Sequence, residues 1–261
     1  MLMSRHRILA PCVVCLCALS IGWIQSPRLQ NLLKNQQDIS LASLEKDIQA
    51  ESLRLNLLKK TPSFGYDNLM ANWVYLNFLQ YFGDEEIRAK TGYGLSPEYF
   101  EVIIERDPRF LEVYISLSTS ISLYAAMPER SIVLMDKALK SLKPKVPEKS
   151  YYVWRYKGID ELLFLGNYQA AQQSFTTAAN WATNYTDEES KYVAVTSLRT
   201  ANFLRQNPDS KYAQISTWAM ILSNQVDEIT QKRAINEIEK LGGRIVTTPE
   251  GVNQIIFPPQ D

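Results

Sequence analysis

The chain has 261 residues, with 28 Lys plus Arg against 28 Asp plus Glu, so its formal charge is zero and it offers no general attraction to nucleic acid or to an anionic surface. All three cysteines (Cys12, Cys15, Cys17) and the single histidine (His6) fall within the first seventeen residues. The rest of the chain lacks the side chains for a Ser-His-Asp or Cys-His nucleophile, a His- or Cys-ligated zinc site or a disulfide; no cofactor, metal or small-molecule substrate is expected.

Residues Ile8 to Ile24 form an uncharged, mostly apolar stretch behind Arg5 and Arg7, with Trp23 placed as an interfacial aromatic. Two expectations follow. The stretch (within residues 1–27) is a single-pass membrane anchor with the C-terminal part exported, or it is a signal peptide cut after Ser20. Residues 28–65 are expected to hold a spacer or capping helix from about Asp38 to Lys60, with a stripe of Ile39, Leu44, Ile48, Leu53, Leu57 and Leu58.

From residue 66 to 224 apolar residues recur at helical spacing with no long alternating pattern, which predicts an all-α fold. Punctuation divides the stretch into pairs. An aromatic-rich helix over Tyr66–Phe82 ends at Gly83-Asp84, and a polar excursion through Gly92 and Gly94 leads to Ser96-Pro97, read as N-cap and first helical residue. A second pair covers Phe110–Ala126 and Glu129–Leu142, broken at Pro128 and closed by Pro144. A third covers Tyr151–Leu165 and Tyr168–Ala182, joined by Gly166-Asn167. Thr186 and Glu189 read as a capping box for a fourth, Lys191–Arg205 and Tyr212–Leu222, interrupted at Pro208. Residues 225–261 are expected to form a capping helix, about Asp227–Leu241, closed by Gly242-Gly243, and then a short hairpin of Arg244–Thr248 with Val252–Phe257 around Pro249-Glu250-Gly251.

The second helices align. Phe100, Met135, Phe175 and Trp218 are each followed at three and four residues by small or aliphatic side chains, at intervals of 35, 40 and 43 residues. Such a recurrence marks helix pairs stacked into a solenoid, each burying its apolar face on its neighbours. In the third pair the match becomes specific. Trp154 and Gly158, then Gly166, Tyr168, Ala171, Phe175 and Ala178, resemble the tetratricopeptide repeat: the Trp and Gly of its first helix, and the Gly-x-Tyr and Ala-x3-Phe-x2-Ala of its second. One extra residue between Gly158 and Gly166, a missing closing proline and over-long units elsewhere make the repeats degenerate. The resemblance implies a TPR-like superhelix whose inner face holds peptides or proteins.

On that face the first helices offer Asn72, Tyr75, Tyr114, Ser118, Arg155 and Lys157, where Arg and Tyr combine contact area with hydrogen bonding. The expected function is a non-enzymatic scaffold or assembly factor that binds a protein or peptide partner at a membrane-associated complex. A rival from another class is an all-helical hydrolase using paired carboxylates, with Asp160-Glu161 as its candidates. Adjacent helical positions point about 100° apart, which weighs against it. A structural linker without a stable partner is the third alternative.

Overall fold

The computed structural model describes residues 20–22, 25–26, 41–206, 211–223, 228–247 and 253–259. The chain divides into two compact units, Met1–Asp47 and Ile48–Asp261. Among the described residues the fold is helical apart from one two-stranded sheet, as the periodicity predicts. No helix of those residues is long and apolar enough to cross a membrane, which contradicts the expected single-pass arrangement. Most of the stretch 8–24 behind that expectation lies outside the described residues, as do Pro208 and the turn at Pro249-Glu250-Gly251.

The helices are α1 (Leu41–Lys60), α2 (Asp67–Gly83), α3 (Glu85–Thr91), α4 (Ser96–Arg106), α5 (Val113–Ser118), α6 (Pro128–Leu139), α7 (Tyr151–Leu163), α8 (Tyr168–Ala182), α9 (Glu188–Gln206), α10 (Lys211–Ser223) and α11 (Glu228–Lys240). The polar excursion after Gly83 contains α3, whose start is capped by Asp84 Oδ1 accepting from the Ile87 amide at 3.2 Å. Beyond Ser118 the helix widens into a π turn over Thr119–Tyr124. Two expected caps fail. Leu95, not Ser96, precedes the first turn of α4, and the buried Ser96 hydroxyl makes no hydrogen bond. At α9 it is Asp187, not Thr186, that accepts from the Ser190 amide at 3.0 Å, while Glu189 is drawn off to Lys149 and Tyr152. Only for Glu189 do tertiary partners replace the local bond, which is worth about 1 kcal/mol.

Within the second unit, α2 packs on α4, α6 on α7, α7 on α8 and α8 on α9. Phe100 of α4 meets Phe78 of α2 edge-on at 4.6 Å, in a buried cluster that also contains Leu55, Val74, Ile103, Ile104, Met135 and Ala138. Phe175 of α8 lies over Gly158 of α7, where an added Cβ would come within 3.2 Å of the ring. Ala171 and Ala178 are buried beside it. Gly166 has φ +59°, and a Cβ there would stand 2.7 Å from the Gln214 side chain, so the α7–α8 turn needs glycine twice over. Gln214 donates to the Tyr168 hydroxyl, fixing α10 at this corner.

The fourth expected pair departs from the others. Trp218 of α10 packs edge-on against Phe164, the residue that follows α7, at 5.7 Å. Ile215, Ala234 and Ile238 bury with it around Ala126. Trp218 is thus not placed as Phe100 and Phe175 are, against the first helix of its own pair. The strands β1 (Arg244–Thr247) and β2 (Asn253–Ile256) pair antiparallel with Ile245 opposite Ile255, and both isoleucines pack on this last cluster. Gly243 fits tightly under Ile238, and the Gly243 amide donates to the Ile238 carbonyl at the end of α11.

Substituting Gly158→Leu forces Phe175 out of its rotamer and is expected to cost about 1–3 kcal/mol by overpacking. Gly158→Ala stays within about 1 kcal/mol, because helix propensity offsets the crowding. Urea denaturation of both variants checks this; equal losses would show that the contact is slack.

Candidate functional site

Most of the expected groove residues serve the interior. The Tyr114 ring is fully buried, its hydroxyl donating to the Pro108 carbonyl at 2.6 Å. Arg155 reaches from α7 to α9 and donates to the Thr196 and Ser197 hydroxyls, each at 3.1 Å. Lys157 pairs with Asp136 of α6 at 2.7 Å and Glu161 at 3.3 Å, its ammonium above the Trp154 ring. Burial works against that charge, but the bond to Asp136 and the nearby carboxylates outweigh it, and the Lys157 pKa stands above its ordinary value. Arg155 and Lys157 are therefore ties between helices, their charged ends engaged within the fold.

Ser118 is likewise internal. Its hydroxyl donates to Asp160 Oδ1, while Ser122 and Ser131 donate to Oδ2, all at 2.6 Å. These three serines come from α5, the π turn and α6. Asp160 on α7 is wholly buried, and burial lifts its pKa to about 6 against the opposing pull of the three hydroxyls. Glu161 turns elsewhere, accepting from Ser174 at 2.6 Å. The two carboxyls of the rival hydrolase reading thus sit in the core, each bonded to different elements, instead of converging on an open cleft.

Tyr75 and Asn72 lead to the surface that is left. The half-buried Tyr75 donates to or accepts from Ser116 Oγ at 2.9 Å, and Asn72 is exposed. Between α2 and the α5–π segment lies a groove of about 210 Å³ lined by Phe78, Leu79, Phe82, Ile115, Ser116 and Thr119. It continues onto the outer side of α2. There Tyr66, Leu69, Trp73, Leu76 and Leu79, with Ile115 across the groove, are each 44–67% exposed. Tyr66, Leu69, Trp73 and Leu76 succeed one another by three, four and three residues. That is the spacing of a seam for a second helix. The opposite side of α2 buries Ala71, Val74 and Phe78, so the helix is apolar on both faces. No charged residue occurs from Asn68 to Gly83. Arg54, bridged to Glu51, stacks over Trp73 at 5.2 Å and flanks the seam.

Of the six polar candidates, Tyr114, Ser118, Arg155 and Lys157 spend their polar atoms inside the fold. The signal that locates this surface is the long uncharged run with leucines at helical spacing on two faces. Comparison with protein-family models, curated proteins and solved structures returns no match.

Two outcomes follow for the internal ties. Lys157→Ala strips the buried Glu161, and the exposed Asp136, of their cation and is expected to cost roughly 2–4 kcal/mol in urea denaturation, chiefly through Glu161; a loss under about 0.5 kcal/mol would place Lys157 with ordinary surface lysines. For Asp160, the folded-state pKa of about 6 exceeds the ordinary 3.8, so the folded form takes up a proton first. Its contribution to stability rises as pH falls from about 6 to 4 and is lost as pH rises through 6, by an amount on the order of 3 kcal/mol. Glu51 and Glu101, held below their ordinary values by cationic neighbours that overcome burial, work in the opposite sense. The stability difference between wild type and Asp160→Asn, followed from pH 7 to 4, isolates the Asp160 contribution; a flat difference would disprove the shift.

Proposed function

We propose that this protein is a non-catalytic docking scaffold of TPR-like helix pairs, and that it holds an apolar α-helix of a polypeptide partner along α2 and the adjoining groove. The observation that carries this reading is the outer face of α2: an uncharged seam at three-four spacing that nothing among the described residues covers. The stacking order α6–α7–α8–α9, with Phe175 set on Gly158 as in the repeat that the third pair resembles, supports the solenoid part of the reading. The last pair, folded back onto Tyr124 and Phe164, acts as a cap, with Thr230 donating to the Tyr124 carbonyl at 2.8 Å. A preformed helical face binds with little ordering cost. Assembly of a larger complex is the role such a surface serves.

A photo-reactive phenylalanine analogue in place of Leu79, irradiated in the native host, is expected to give a discrete polypeptide adduct. The adduct maps to an apolar helical segment and disappears when Ile115→Glu is added. The same analogue at the exposed Lys140 gives none. No adduct at Leu79, or equal adducts at both positions, would sink the proposal.

A further inference from the structure

The seam on α2 has the properties of a surface made to meet its own copy. α2 itself is uncharged at its centre, and Arg54 above Trp73 is bridged to Glu51, so a second α2 meets an uncharged helix flanked by a neutralised pair. Asn68 and Asn72 lie on the exposed side of the helix, with Gln80 further along. An amide both donates and accepts, so a rim of amides is complementary to itself where a rim of one charge is not. The two ends of the seam differ in sign. At the N-terminal end Arg106 joins the last turn of α1 to the start of α2, bonding the Leu58, Lys59 and Thr61 carbonyls and Asp67, which places the exposed Lys60 there. At the C-terminal end stand the exposed Asp84, Glu85 and Glu86. An antiparallel pair sets the basic end of one copy beside the acidic end of the other.

The area is of the right order. Tyr66, Leu69, Trp73, Leu76, Leu79 and Ile115 leave on the order of 600 Å² open, against roughly 800 Å² per partner in a standard interface. From these observations we infer that the helix seated on α2 is α2 of a second copy, the two antiparallel about a two-fold axis near Trp73, with Leu69 of each beside Leu76 of the other. The inference rests on the outer face of α2 being a docking surface, and it names the occupant. A two-fold pair uses the same patch twice, which a self-complementary seam satisfies and a head-to-tail contact does not require.

Sedimentation of the full chain at micromolar concentration tests it. Wild type is expected to sediment as a dimer, W73E with L76E to weaken self-association at least tenfold, and Y192E, at an exposed aromatic on α9, to leave it unchanged. Circular dichroism checks that helicity survives; if the glutamates reduce it, L69N with L76N is read instead. A monomeric wild type overturns the inference, and so does an oligomer that the seam variants do not disturb. A monomeric wild type whose position 79 still crosslinks to the helix of a different polypeptide overturns the second copy alone and leaves the docking surface standing. A monomer without any such adduct overturns both.

Discussion

The carboxylate of Asp160 organises the middle of the molecule. One buried anion accepts from three hydroxyls, and those hydroxyls come from α5, the π turn and α6, so a single group on α7 sets the placement of three successive segments. A buried charge without partners would be prohibitive; here every bond it makes is short and hydroxyl-donated, which is the condition under which a polar interior specifies one arrangement. Lys157, Asp136 and Glu161 extend the same logic one layer on, joining α6 to α7, and Arg155 carries it to α9. Polar ties of this kind constrain direction, whereas apolar packing alone tolerates sliding.

Apolar contacts supply the rest, and they differ from pair to pair. Where α7 meets α8 a glycine admits a phenylalanine ring; where α2 meets α4 two phenylalanine rings cross edge-on. Both solutions bring neighbouring helices together, but the second keeps aromatic bulk on α2 and leaves its far side free to be apolar as well. That double character separates α2 from α8, whose outward positions Gln169, Gln173 and Thr177 are polar. The same helix therefore serves the core on one side and presents an exposed apolar face on the other, and the groove beside Ile115 opens where the two faces meet.

The helical class, the breaks at Gly83, Pro128 and Gly166, the hairpin and its packing on the last helix follow from the spacing of apolar residues and from turn chemistry alone. Local rules suffice for these because each depends on a few consecutive residues. The caps were less legible: Ser96 and Thr186 satisfy the local rule, yet Leu95 and Asp187 occupy the capping positions. Trp218 matches Phe100 and Phe175 in spacing but packs on Phe164, because a periodic pattern records that a side chain is buried and not against what.

By itself, then, the sequence determined that the chain is mostly helical, that residues beyond the seventeenth are without thiol or imidazole chemistry, and that α2 carries no charge between its ends. Only the tertiary structure decided which polar groups face inward. Arg155, Lys157, Ser118 and Tyr114 stand on helices at positions compatible with either solvent or a neighbour, and for Arg155 and Ser118 the choice depends on partners some forty residues away, Thr196 and Asp160. Desolvating a charge or hydroxyl is favourable only when such a partner is in place, and that pairing is a property of the assembled helices. The leucines of α2 show the converse, since their exposure reflects the lack of a covering element among the described residues, a fact that no window of sequence contains.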